Sequence, residues 1–365
     1  MENVVYWFSG TGNSRLVASR IAKGLEERGV PARLAAIEAI PRPRFRMAAA
    51  KNWFAPEGNV GPGLPVDAEG LDVLCFPVFS FSAPAIVERF LTRIPVAMGR
   101  RAAVVATMGS GGYEGRALAR TARLLRESGR KVVLTEVFEM PEAFVQAYPA
   151  TEEAIAGPLT AAGLVAADRA AADLVEGRTR LRKAGFGGRA LTWIASVAFK
   201  YPGRRILGLA WSASKACTAC GLCAAACPSR TIRMVGGRPH WGGSCEDCQR
   251  CANCCPAGAI RVSAPKLVLL AAPLFMPWGR WGDALAGVPG GGTEVIFWLV
   301  GAVAGTALVG AILWVLDLVP GLRRLLAASW AGGFRRRLAP DFAAYLASHK
   351  RGASRGRGSA ATSGY

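Results

Sequence analysis

Nine of the ten cysteines in this 365-residue chain lie between Cys217 and Cys255; Cys75 alone stands elsewhere. They fall in two copies of one pattern, CTACGLCAAACPSRTIR from Cys217 and CEDCQRCANCCPAGAIR from Cys245, an offset of 28 residues. Each copy reads C-x2-C-x2-C-x3-C-P, a spacing that holds [4Fe–4S] cubanes. A cubane needs one thiolate on each iron. Three thiolates spaced by two residues wrap one corner, while amide N–H groups of the same loop point at the sulfides. The fourth cysteine is carried away by the turn at proline and reaches the other cluster. This assigns Cys217, Cys220, Cys223 and Cys255 to one cluster, and Cys245, Cys248, Cys251 and Cys227 to the second. Zinc prefers two C-x2-C pairs or histidine partners, and disulfides belong to small secreted domains; two 3+1 sets closed by Cys-Pro suit neither. Cys254 aligns with Ala226 and reads as a small buried thiol, Cys75 as strand core, and His240 and Trp241 as packing beside a cluster.

A second chemistry sits near the N-terminus. Ser9-Gly10-Thr11-Gly12-Asn13-Ser14 joins an apolar run to a helical pattern. Such a strand–loop–helix turn offers amide N–H groups, hydroxyls and the positive end of a helix to a phosphate. It contains no lysine and lacks the G-x-G-x-x-G spacing, so it suits a monoester phosphate held by neutral donors. Two further loops follow later strands: Phe76-Pro77-Val78-Phe79-Ser80-Phe81-Ser82 and Met108-Gly109-Ser110-Gly111-Gly112-Tyr113. In a doubly wound sheet ligands bind outside the carboxyl ends of the strands. An aromatic loop and a glycine loop there would sandwich a flat ring, with Phe79, Phe81 and Tyr113 each a candidate to stack on it.

The elements that must place these loops alternate between short apolar runs and helical patterns over residues 1–178, the sign of a parallel α/β domain. Strands are expected at Val4–Phe8, Leu71–Phe76, Ala102–Met108 and Lys131–Phe138, and helices at Ser14–Arg28, Pro84–Ile94, Gly115–Ser128 and Thr151–Glu176. Pro41–Glu69 reads as an irregular excursion. Residues 179–214 read as a linker whose apolar stretch Leu191–Phe199 either lies on a membrane surface or packs one domain on the next. Val295–Leu316 is 22 residues without a charge, long enough to span a bilayer. Trp298 and Trp314 are about 24 Å apart along it, at the depth of interfacial aromatic belts. Gly301 and Gly305 form a G-x-x-x-G, either a helix-packing notch or chance. Leu267–Trp278 is apolar but short, fit to lie in the interface or to re-enter.

Charge and composition narrow the class. The net charge is +20 and 52% of residues are hydrophobic, which rules out wholesale disorder. Gly321–Tyr365 carries eight Arg and one Lys against one Asp, so the excess is concentrated in a basic tail. The rest is a modest bias and not a continuous nucleic-acid face, and anionic lipid or an acidic partner explains the tail as easily as DNA does. Met1–Gly10 has neither a basic n-region nor an apolar h-region, so the N-terminus is expected in a reducing cytoplasm.

FSGTGNS at Phe8–Ser14, FPVFSFSAPAIVERFL at Phe76–Leu91, ATMGSGG at Ala106–Gly112 and EMPEAF at Glu139–Phe144 resemble the flavodoxin half of the bacterial flavodoxin–ferredoxin fusion proteins. The double cysteine motif is similar to their ferredoxin half. The resemblance covers about residues 1–264. It implies a flavodoxin-like doubly wound parallel sheet of order 2-1-3-4-5, a small α+β two-[4Fe–4S] domain, and FMN as cofactor. By match, Ser9, Thr11, Gly12, Asn13 and Ser14 would hold the FMN phosphate. By position, residues 77–82 and 108–113 would border the ring: Pro77, Phe79, Ser80, Phe81, Met108, Gly109, Gly111, Gly112 and Tyr113. The expected domains are 1–178 for FMN, 179–214 as linker, 215–264 for the clusters, 265–322 as a membrane-associated segment with its span at 295–316, and 323–365 as a basic, partly disordered tail. The span, the tail and the long excursion before the third strand lie outside the family's pattern.

The expectation is an electron carrier passing electrons between a redox partner, two clusters and FMN, with no direction readable. No thiol, histidine or carboxylate constellation suggests substrate catalysis, and His240 and His349 are the only histidines. The rival is an FMN-dependent reductase of a small molecule or quinone, fed by the clusters; a clustered redox sensor with a nucleic-acid-binding tail is a third class. The site is the inner membrane, with the redox domains toward the cytoplasm. Arg323, Arg324 and Arg335–Arg337 follow the span, and the positive-inside rule places them in the cytoplasm as well. One span cannot satisfy both. Either Leu267–Trp278 helps make a hairpin or the folded domains override the charge rule.

Overall fold

A computed structural model describes residues 2–40, 64–109, 114–182, 189–286, 294–327 and 334–348. The chain forms two compact units. Unit 1 is Met1–Phe144, Pro149–Lys200 and Arg337–Ala343; unit 2 is Val145–Tyr148, Tyr201–Arg336 and Ala344–Tyr365.

Unit 1 runs β1 (Asn3–Trp7), α1 (Asn13–Glu26), β2 (Ala32–Ala36), β3 (Leu71–Pro77), α2 (Ala85–Leu91), β4 (Arg101–Met108), α3 (Ala117–Glu127), β5 (Lys131–Glu139), α4 (Glu153–Val175), β6 (Arg180–Leu181) and α5 (Arg189–Ala198). The strands form one parallel sheet of order β2-β1-β3-β4-β5-β6. The expected five-strand order is present, with a sixth, two-residue strand beside β5 inside the segment read as linker. A parallel sheet needs cover on both faces. α1 packs with α4, and α2 with α3. Val4, Val5, Val73, Cys75 and Val104 have no exposure at all, and Ile21 and Leu25 of α1 contribute about 1.5–3 kcal/mol each by full burial. The approach of α1 to α4 is close enough that a Cβ on Gly24 would lie 2.9 Å from Ala171 Cβ. Most of the Pro41–Glu69 excursion lies outside the described residues. Arg337–Ala343, read as part of the basic tail, belongs to this unit.

Unit 2 runs α6 (Arg204–Leu209), β7 (Trp211–Ala213), α7 (Leu222–Ala225), β8 (Ile232–Val235), β9 (Arg238–Trp241), α8 (Arg250–Asn253), β10 (Ile260–Val262), α9 (Ala264–Ala271), α10 (Trp278–Ala286) and α11 (Glu294–Leu316). β7 pairs antiparallel with β10, and β8 with β9. α7 and α8, and likewise β8 and β10, begin 28 residues apart, so the sequence repeat is also a structural one. α9 and α10 pack along α11. Most of α11 is nevertheless open: Val295, Ile296, Val300, Val303 and Leu308 are each more than 60% exposed. Trp278 fills the notch above Gly301 and Gly305, where added Cβ atoms would lie 2.4 and 2.9 Å from its ring.

The far end of α11 is tied down by polar contacts. Lys266, 1% exposed, pairs with Asp317 at 2.5 Å and donates to Trp211 O at 3.2 Å. His240 Nε2 lies 3.0 Å from Trp314 O. Burying Lys266 requires such partners, because an unpaired ammonium away from water costs several kcal/mol.

Candidate functional site

Three of the sequence-predicted loops leave the carboxyl ends of β1, β3 and β4. The first is built around a trans peptide that faces two ways. Gly12 N–H donates to Ser9 Oγ at 2.9 Å, and the Thr11 carbonyl on the same peptide accepts from Ala339 N–H at 2.8 Å. Gly12 caps α1 at φ +106° with no side-chain hydrogen bond to the first turn. Only glycine takes that φ readily, and an uncapped helix start with aligned amides is an anion cradle. Ser9 is 1% exposed, and Ser14 is fully buried with its Oγ 2.8 Å from Thr107 Oγ1 of β4. The Ser14 side chain therefore ties the loop to the sheet. Asn13 Nδ2 donates to Pro141 O at 2.6 Å, binding the loop to the segment after β5.

The second loop turns tightly. Phe79 and Ser82 exchange backbone hydrogen bonds at 2.9 and 3.1 Å, and between them Ser80 and Phe81 sit at φ +43° and +62°. This is the two-residue turn that Asn-Gly normally occupies. Holding a phenylalanine there costs on the order of 1–3 kcal/mol, and such strain collects at ligand clamps. α5 backs the turn: Ser196 Oγ donates to Ser80 O at 3.0 Å. On the same helix Trp193 and Ile194 are about half exposed. Phe79 packs edge-on to Phe8 at 6.4 Å. Pro77 ends β3 opposite Thr107.

In the third loop Met108 O accepts from Met140 N–H at 2.8 Å. A Cβ on Gly109 would lie 1.8 Å from Glu142 Cγ, so glycine is required for Glu142 to lie across it. Gly111, Gly112 and Tyr113 lie outside the described residues. Pro141, Glu142, Ala339 and Phe342 join this region without having been picked out singly; EMPEAF marks the first two, and nothing local marks the others.

In unit 2 the cysteine loops repeat in backbone handedness. Ala219 and Asp247 occupy matching positions at φ +57° and +51°, Gly221 and Gln249 at +73° and +62°, and Arg230 and Gly258 at +52° and +59°. Left-handed residues beside right-handed ones turn successive N–H groups to one side, the nest found at many iron–sulfur sites. Asp247 N–H already points at Cys245 Sγ at 3.3 Å, and Ala259 N–H at Cys255 Sγ at 3.3 Å. Cys217, Cys220, Cys223 and Cys255 line one pocket together with Met234, Pro239 and Ile260. Burial pushes the Cys223 thiol up to about 12, and its neighbours Cys255, Cys220 and Cys217 add to this. Burial likewise raises Cys251, with Cys245, Cys248, Cys254 and Cys227 adding to it. Thiols so placed need a cation to ionise. Among the described residues no three His, Cys, Asp or Glu side chains converge tightly enough for a single metal ion; a cubane takes each thiolate at a separate iron. Cys254 is buried, and Cys75 fully so.

No protein-family model and no curated protein matches the chain. Solved structures match its N-terminal half. A Megasphaera elsdenii flavodoxin is 19% identical, covering 45% of this chain and 97% of its own, with a TM-score of 0.27. A flavodoxin from the domain Archaea is 17% identical over 46% of this chain and 98% of its own, with a TM-score of 0.27. The general stress protein 14 of Treponema denticola, solved with FMN, is 12% identical over 47% and 99%, with a TM-score of 0.28. At these scores the strand order of unit 1, not the likeness, carries the fold.

Proposed function

We propose that this chain is an electron-transfer flavo-iron–sulfur protein, carrying FMN on unit 1 and two [4Fe–4S] clusters on unit 2, set at the cytoplasmic face of the inner membrane by α11. The observation that carries the reading is the twofold recurrence, 28 residues apart, of the cysteine spacing with the same left-handed positions. When bound, the clusters supply one-electron carriage and FMN converts between one- and two-electron transfer. The first cluster falls to Cys217, Cys220, Cys223 and Cys255, the second to Cys245, Cys248, Cys251 and Cys227. On unit 1, Ser9, Thr11, Gly12 and Asn13 serve the phosphate, with Ser14 holding the loop to β4. The turn at Phe79–Ser82 and the glycine loop from Met108 border the ring. A redox protein and membrane lipid are the partners this reading calls for. Keeping both cofactors on one chain replaces diffusion by a fixed effective concentration.

The test is composition. Anaerobic purification in detergent, followed by iron, sulfide and flavin assays, is expected to give about eight iron, eight sulfide and one FMN per chain. Zinc in place of iron would overturn the electron-transfer reading, and iron without flavin would reduce the protein to a membrane-bound ferredoxin.

A further inference from the structure

The phosphate loop of unit 1 carries a segment from the far end of the chain. Ala339 N–H donates to Thr11 O at 2.8 Å. Ala339 is 3% exposed and Phe342 not at all. The Phe342 ring stands edge-on to Trp7, the last residue of β1, at 6.4 Å and 77°. Gly12 has no side chain in the direction of this segment: a Cβ there would lie 2.7 Å from Phe342 Cβ and 2.8 Å from Ala339 Cβ. Arg337, which opens the segment, forms an ion pair with Glu153 at the start of α4. The anchor is thus threefold, on the loop, on β1 and on α4.

The segment uses the side of the loop that an anion does not. Across a trans peptide the C=O and N–H point in opposite directions. Thr11 O faces Ala339, so Gly12 N–H faces inward, where Ser9 Oγ receives it. A phosphate would approach from that inward side, where Ser9 Oγ holds the Gly12 N–H and Ser14 Oγ is bound to Thr107. The segment is therefore a brace on the outer wall of the cradle and does not compete for it. The positive φ at Gly12 is a conformation with little intrinsic preference to persist, and the contacts of Ala339 and Phe342 fix it.

We propose that Ala339 and Phe342 are positioning residues for the phosphate loop, so that retention of FMN depends on a segment that follows α11 in the chain. This rests on the FMN reading above. The phosphate, and not the ring, is what the brace serves, which gives it a signature: loss of the brace weakens FMN but not riboflavin.

The test uses the full chain in detergent, stripped of flavin, with FMN and riboflavin titrated separately by quenching of flavin fluorescence. Phe342→Asp is expected to weaken FMN at least about tenfold, near 1.4 kcal/mol, with riboflavin affinity unchanged, and Phe342→Leu to restore most of the loss. Ala339→Pro, which removes the N–H donor and fixes φ, is expected to act in the same direction and serves if Phe342→Asp does not fold. Equal loss of FMN and riboflavin, or unchanged FMN affinity in both variants, overturns the proposal. Wild-type protein that binds neither flavin fails the FMN reading itself and takes this inference with it.

Discussion

Asp72 shows what single residues contribute to the platform beneath the loops. It is 2% exposed in β3, between the guanidinium groups of Arg100 at 2.9 Å and Arg130 at 2.7 Å, both buried. Arg100 goes on to Glu2 O at 2.5 Å, and Arg130 to Pro95 O at 2.8 Å. The trio fastens the strand ends remote from the loops at the carboxyl ends of β1, β3 and β4. Asp72→Ala takes the carboxylate from buried Arg130 and leaves Arg100 only the half-exposed Asp67 at 3.1 Å, so it is expected to cost about 3–5 kcal/mol, read as a lower urea midpoint with the slope unchanged. Residue-scale chemistry was legible unevenly. The eight cysteines stood out because thiolate spacing is a local property of the chain. Ser14 was legible as a loop hydroxyl, but its bond to Thr107 depends on which strand lies next to β1's helix, and no local pattern records that. Phe81 was a stacking candidate; that it holds a left-handed turn is visible only in the backbone.

At the scale of elements, α11 and α10 meet through absence. Gly301 and Gly305 leave a notch that Trp278 occupies, its Nε1 donating to Pro273 O at 2.7 Å. Gly301→Leu is expected to push Trp278 out at a cost of about 1–3 kcal/mol from overpacking. The readout is a red shift of tryptophan emission with faster proteolysis between α10 and α11; an unchanged spectrum and unchanged cleavage would remove the notch from the packing. The G-x-x-x-G was readable, its occupant was not. The strands β1, β3, β4 and β5 were legible because a buried parallel strand is a continuous apolar run. β2 was not placed: ARLAA has no β-branched residue, carries Arg33 and is only partly buried at the sheet edge. β6, two residues long, has too little sequence for any period. The stretch around Ala339 and Phe342 carries neither period nor turn signal strong enough to announce a long-range contact.

At the scale of the whole molecule, the two units are not beads on one string. The chain passes between them at 144/145, 148/149, 200/201, 336/337 and 343/344, so separate expression of residues 1–178 would omit part of unit 1. α11 lies between Lys200 and Arg337, both in unit 1. That fixes a parity. A chain that leaves a compact body on one side of a barrier and rejoins the same body must cross the barrier an even number of times. If α11 crosses a bilayer, the return to unit 1 needs a second crossing between Lys200 and Arg337; among the described residues α11 alone is long and apolar enough to span, so that crossing would fall to the shorter apolar stretch Ala264–Phe275 and α10. An even count would put the basic residues after α11 and the loops of unit 1 on one face. Epitope tags at the two termini, probed in sealed inner-membrane vesicles, are expected to be reached by protease from the same face. Tags on opposite faces would require an odd count, and Arg337–Ala343 would then have to leave the loop at Thr11 and Gly12.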